Sequence, residues 1–396
     1  MKKNWILSIA LVSCMASNAF AQDEETTSDQ LNPVLTGVPS LTIAPDARGG
    51  GMGDIGAATS PDVNSQYWNP AKYAFMKSKS GASLSFTPWL RKLVNDINLS
   101  YVSGYYKFGQ GDMQAISGSL RYFSLGQIDM TDEGGNTTYS ISPYEMAIDL
   151  GYSRKLSDYF SGSVVMRLIY SDMQADDYGA GSAFAADIAG FYTRPVTFAN
   201  GMEGDWSLGF NASNIGTKIS YGDGTTNFIP TNLRIGGGVT YPFDQYNSLA
   251  FHADINKLMV PTRPQPVQMD GESNDDFELR KEELLSEYNN ISPISGIFKS
   301  FNDAPGGSKE ELQEVSWSVG AEYNYNNQFF ARGGYFYEHP MKGNRKYYSV
   351  GAGFKMNLFR LDVSYLISTA QSNPLDQTLR FSLSFDTEGL KALRAR

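Results

Sequence analysis

The chain holds one cysteine, Cys14, and two histidines, His252 and His339, in 396 residues. A single thiol builds no disulfide framework and no thiolate metal cluster. Neither histidine stands at a zinc-ligand spacing, and no calcium-loop pattern occurs. A histidine-based triad would have to use one of these two residues, and Ser or Asp neighbours are too common to support it. An excess of basic residues is also missing. Against 42 Asp and Glu there are 32 Lys and Arg, a net charge of -10, so nothing here suits nucleic acid. After the N-terminal stretch no apolar run approaches the roughly 18 residues that a membrane helix needs, so any spanning structure has to be a closed barrel.

What the chain has is glycine and aromatics: 39 Gly, 24 Tyr and 23 Phe, at a mean hydropathy of -0.33. That mixture suits strands with one greasy and one wet face. At the start, Lys2, Lys3, the run Trp5 to Val12 and Ala19-Phe20-Ala21 form the three regions of a secretory signal peptide, residues 1–21. Leu11-Val12-Ser13-Cys14 also reads as a lipoprotein cleavage box, but the Ala-x-Ala site is followed directly by an acidic, polar segment and is the better match. With cleavage there, the mature chain carries no cysteine.

Residues 22–79 read as an N-terminal segment and plug, with Gln22 to Pro45 on the periplasmic side and a Gly-, Asp- and Asn-rich stretch from Asp46 to Lys72 inside the lumen. From Ser80 to Asp386 about fourteen segments alternate apolar with polar or small residues: 80–88, 96–107, 113–124, 143–155, 159–171, 183–193, 204–212, 231–241, 247–257, 314–325, 328–338, 345–356, 357–369 and 377–386. Every second connection is short, except the one from Arg194 to Glu203. The others include the long stretches Leu125 to Ser142, Ser213 to Pro230 and Leu258 to Gln313. An even number of strands with short periplasmic turns and long outside loops defines an antiparallel 14-stranded transmembrane β-barrel. Residues 387–396 form a short periplasmic tail.

Alternation assigns Glu145, Asp149, Arg167, Asp254, Glu322, Arg360, Asp362 and Arg380 to the lumen. Their mixed signs predict ion-pair and hydrogen-bond networks that hold the plug through Asp46, Arg48, Asp54 and Asp62, with Gly51, Gly53, Asn69 and Pro70 shaping its backbone. Gly51 to Gly56 matches G-x-G-x-x-G, but no strand precedes it and Pro61 interrupts any following helix, so it serves tight turning rather than a dinucleotide. In the loop 258–313 the pattern predicts a helix through Phe277 to Tyr288, with Phe277, Leu284 and Tyr288 on one face. A second helix is predicted from Pro293 to Phe301, capped by Ser292. Its stripe of Ile294, Ile297, Phe298 and Phe301 either packs on the barrel rim or docks a partner.

Asp46-Ala47-Arg48, Gly51-Met52-Gly53-Asp54, Pro61-Asp62 and Trp68-Asn69-Pro70-Ala71-Lys72 resemble the PorV family of outer-membrane proteins of type IX secretion, and the likeness continues through Thr87 to Leu93 and Ile97 to Phe108. The Asn-Pro-Ala element is similar, more distantly, to the hatch of the FadL family. The PorV resemblance implies a non-enzymatic shuttle without cofactors, in the outer membrane of a Gram-negative bacterium, its loops at the cell surface amid outer-membrane lipid and lipopolysaccharide. It implies further that cargo with a C-terminal signal domain is taken from an SprA-type translocon and delivered to a PorU-type sortase in the surface attachment complex. The FadL resemblance implies the alternative, a transporter of hydrophobic small molecules.

Overall fold

The computed structural model describes residues 32–91, 94, 96–132, 134, 136–174, 179–221, 226–369 and 375–387. The expected signal peptide with Cys14, and the expected tail beyond Thr387, lie outside the described residues.

Among the described strands, fourteen close into one antiparallel barrel. They are β1 (Ser80–Pro88), β2 (Asn98–Phe108), β3 (Gln114–Ser124), β4 (Tyr144–Lys155), β5 (Phe160–Asp172), β6 (Gly181–Thr197), β7 (Glu203–Gly216), β8 (Asn232–Pro242), β9 (Asn247–Leu258), β10 (Val315–Tyr325), β11 (Phe329–Tyr337), β12 (Lys346–Met356), β13 (Phe359–Ser368) and β14 (Leu379–Asp386). Neighbours in sequence are neighbours in the sheet. β1 closes on β14 with Gly81 opposite Asp386 and Phe86 opposite Phe381, so no strand edge is left unpaired.

A two-residue period decides which side chain meets which solvent. Leu150, Met166 and Phe184 are each about two-thirds exposed on the outer face, while Ser153, Arg167 and Asp187 of the same strands point inward and are buried. Apolar exposure on that scale is stable in hydrocarbon and not in water. Aromatic rings gather at both ends of the wall. Tyr144 lies between Tyr122 and Tyr170 at one mouth, and Tyr192 sits against Trp206 at the other, in the girdle positions of an outer-membrane barrel. No described helix is long and apolar enough to cross a membrane.

Three features depart from the sequence reading. The connection from Arg194 is short after all, because β6 runs on to Thr197. Pro195 reads as a strand breaker since it lacks an N–H, yet it pairs opposite Asp205 at the strand's periplasmic end. The long loops carry two small hairpins of their own, Ile128–Thr131 with Thr137–Ile141 and Ile219–Ser220 with Thr226–Asn227.

The third departure concerns the described part of the N-terminal segment, residues 32–45, which does not lie on the periplasmic side. Asn32 donates its N–H to Met341 (3.0 Å) and Gly37 to Phe228 (2.8 Å), both in long connections. Ser40 donates to Glu145 near the same mouth (3.2 Å). The chain therefore enters at the cell-surface rim and descends the lumen to Ser80. An extended segment without a period carries no signal for its direction. Only its contacts reveal it.

The loop 258–313 builds a crown of three helices at that rim: α3 (Asn274–Asn290), α4 (Pro293–Lys299) and α5 (Gly307–Gln313). The hydroxyl of Ser273 caps α3 by accepting from Asp276, and that of Ser292 caps α4 by accepting from Ser295. In α3, Tyr288 is buried against Phe228 and Val260. The glycine pair after α4 is not a plain terminator. Gly307, at φ +64°, opens the turn into α5.

Candidate functional site

Two regions attached to the wall carry the functional questions: the plug within and the crown above. In the plug, α1 (Ala47–Gly50) begins where Asp46 accepts the Gly49 N–H at 2.9 Å, the capping role for which a short carboxylate is suited. The other Asp46 oxygen accepts from Trp68 Nε1 at 2.5 Å, tying α1 to α2 (Ser65–Trp68). Asn69 then caps the 3-10 turn Pro70–Phe75, with Pro70 at its first position, where a missing N–H costs nothing. Its amide nitrogen reaches the carbonyls of Ala57 (2.8 Å) and of Gly190 in the wall (3.0 Å). Lys72 is fully buried, and its ammonium donates to Gly56 O and Thr59 Oγ1, both at 2.9 Å.

Charge crosses from plug to wall at two places. Arg48 bonds Asp62 (2.6 Å) within the plug and Glu322 of β10 (2.8 Å). Glu322 also meets Arg332 of β11 (2.6 Å), which reaches Asp362 of β13 (2.9 Å), and Asp362 meets Arg360 (2.8 Å). Three guanidiniums thus face three carboxylates, an arrangement in which each charge offsets the desolvation of the next. Asp54 pairs separately with Arg380 of β14 (2.7 Å) and accepts from Tyr347 (2.5 Å). Polar wall groups hold the plug backbone as well: Asp254 accepts the N–H groups of Gly56 and Ala57 (2.8 and 2.9 Å), and Ser349 accepts that of Gly53 (2.7 Å).

Glycine sets how closely the two surfaces meet. Gly53 has φ +80° and lies on the Tyr335 backbone. A Cβ on Gly334 would come within 2.1 Å of the Met52 carbonyl carbon. Gly51 packs on Gly351 in the same manner. The G-x-G-x-x-G stretch is thus spent on contact with the wall.

The structure brings Arg48, Asp62, Glu322, Arg360 and Asp362 into one network. Asp46 stands outside it as a helix cap, and Asp254 holds backbone instead of a charge. Arg332, buried at the centre of the network, escaped the sequence reading, although alternation along β11 marks it as inward. Of the histidines, His252 is buried in the lumen, its ring over Gly238, and His339 caps the turn Pro340–Lys342 by accepting from Met341.

On the crown, α4 turns Gly296 and Ser300 toward the barrel, where Gly296 packs on Pro261 and Phe228. Ile294 and Phe298 face away, at 57% and 75% exposure, with Ile297 half-buried beside them, while Phe301, just past the end of α4 and 48% exposed, has the Lys257 ammonium of β9 5.6 Å from its ring centre.

The chain is similar to the Pseudomonas putida toluene transporter TodX (12% identity over 90% of this chain and 99% of that one, TM-score 0.47). A Pseudomonas aeruginosa FadL homologue is similar at 11% identity over 90% and 99%, with a TM-score of 0.45. The Ralstonia pickettii toluene transporter TbuX follows at 12% identity over 86% and 96%, with a TM-score of 0.43. No curated protein matches the sequence. The family described as "Type IX secretion system protein PorV" matches residues 25–265, a stretch that includes the plug and its capping residues. That match covers more than half of the 396 residues, and with a closed barrel whose long loops lie at the cell surface, the chain belongs to the PorV family of outer-membrane proteins of type IX secretion.

Proposed function

We propose that the chain is the membrane-held carrier of this secretion route. It receives cargo bearing a C-terminal signal domain from an SprA-type translocon and passes it to the attachment complex that contains a PorU-type sortase. It catalyses nothing itself; cleavage and linkage to lipopolysaccharide belong to the sortase. The supporting observation is the outward stripe of α4. Phe298, 75% exposed, sits on a helix whose opposite side is packed on the rim. Burying one such side chain in a partner is worth about 1.5–3 kcal/mol, and a braced helix presents it without an ordering cost. The charged lumen, filled by the plug, supports carriage on the outside over passage through the middle.

The test is a triple substitution, Ile294→Ser with Phe298→Ser and Phe301→Ser, which leaves Gly296 and Ser300 in place. Recovery of cargo or translocon with the purified barrel should fall at least about tenfold, the equivalent of a single lost anchor, while heat-modifiable migration on gels shows an intact barrel. Undiminished recovery would reject the stripe as a docking site. A hydrocarbon found inside the barrel in place of associated cargo would favour the FadL-like alternative.

A further inference from the structure

Between the plug and the crown the lumen keeps a cavity of about 250 Å³. Most of the charges on its walls are matched. Arg167 is held by Asp149 (2.6 Å) and Asp187 (3.0 Å), Lys342 by Glu310 (2.5 Å) and Glu314 (3.1 Å), and Arg345 by Glu338 (2.6 Å). Arg121 and Arg234 remain. They are 4% and 9% exposed, both line the cavity, and among the described residues neither forms an ion pair.

The sheet register explains why. Arg121 lies opposite Ala147 on β4, which puts Glu145 and Asp149 on the diagonals. Glu145 accepts the Ser40 N–H and Asp149 is taken by Arg167. Arg121 Nη2 donates to the Ile43 carbonyl, and its Nε has no hydrogen-bond partner among the described residues. Arg234 lies opposite Asn256, to which its Nε donates at 2.8 Å, and the next inward carboxylate on β9, Asp254, holds Gly56 and Ala57. Both guanidiniums are 5.3 Å from the centre of the Tyr67 ring, and Arg234 is 4.6 Å from that of Trp68. Ring faces attract a cation but do not neutralise it. Elsewhere in this lumen a buried guanidinium is met by carboxylate. Here two such groups border open volume, and their planar forks suit the two oxygens of an oxyanion.

We propose that this cavity binds a compact oxyanion, a carboxylate or phosphate group, through Arg121 and Arg234, with Tyr101, paired directly across from Arg121, adding a wall to the site. The group belongs either to a free ion or to the head of a lipid. The site needs neither cargo nor translocon, so it stands or falls apart from the carrier role.

The test uses the full-length barrel in detergent, dialysed into chloride. Inorganic phosphate, acetate and dihexanoyl phosphatidic acid are titrated separately at constant ionic strength while the thermal midpoint is followed. The wild type should show a saturable rise with at least one probe. Arg121→Gln and Arg234→Gln should each weaken the apparent affinity at least about tenfold, a loss in keeping with one charge-assisted contact. In chloride alone both variants should melt no lower than the wild type, because an unopposed buried charge has been removed. A rise with phosphate or acetate assigns the site to a free ion, and a rise with the lipid alone assigns it to a headgroup; either supports the proposal. No saturable rise with any probe, or an equal rise in wild type and both variants, overturns it.

Discussion

Trp68 in the plug is 2% exposed, and Phe298 in the crown is 75% exposed, although both are large aromatics on short helices that hang from the same barrel. The plug hides its apolar side chains and joins its charges to the wall. The crown leaves ion pairs such as Lys281 with Glu278 in water and turns Ile294 and Phe298 out. Buried ion pairs in the plug therefore describe how the barrel is filled, and the exposed apolar residues on the crown are where the proposed carrier role puts a partner, since an exposed apolar patch is the informative exception on a protein surface.

The comparison breaks first at its charges. Glu322→Ala should strand Arg48, Arg332 and Arg360 against two remaining carboxylates, at a cost of about 3–5 kcal/mol. Glu278→Ala removes an ion pair between crown side chains 40% and 58% exposed and should cost about 0–1 kcal/mol. Thermal midpoints of the heat-modifiable form in detergent measure both. Equal effects would mean that the plug network carries no special weight.

Space gives the next contrast. Gly334→Ala drives a Cβ into the Met52 backbone, and an overpacked site of this kind loses about 1–3 kcal/mol. At Gly307 of the crown nothing lies within 4 Å, so Ala there meets only the strain of a φ of +64°, about 1 kcal/mol. Protease access to residues 46–72 should rise in the first variant and stay low in the second.

The smallest effect is acid sensitivity of the crown. Burial pushes the Glu310 carboxyl up, but donation from the Lys342 ammonium and the Gly306 N–H outweighs it and holds the group below its ordinary 4.5. A carboxyl whose pKa falls on folding adds stability above the unfolded value, and that contribution disappears as the pH drops through the folded one. Limited proteolysis by an acid protease should therefore cut the crown faster at about pH 3 than at about pH 5, and Glu310→Gln should remove the difference.

Much of this was legible in the sequence because a strand's period is two: fourteen segments, their faces and the inward charges all follow from alternation. The small hairpins at Ile128 and Ile219 escaped because neither has enough residues to show a period. α5 escaped because Gly306-Gly307 looks like an ending. The partners of the lumen were beyond reach for a different reason. Arg48 and Glu322 are 274 positions apart, and only the closed sheet brings them together. Nor could Arg121 be told from Arg167, since both sit inward on the two strands that flank β4. What separates them is which diagonal carboxylate is already engaged.

The stretch from Asn32 to Ser80 is a thread fastened at both mouths, to Met341 and Phe228 above, and to Ser161 and Lys107 below. A thread held in this way is enclosed most directly by a sheet that wraps around it, and the pairing of β1 with β14 is then the seam that closes over the interior.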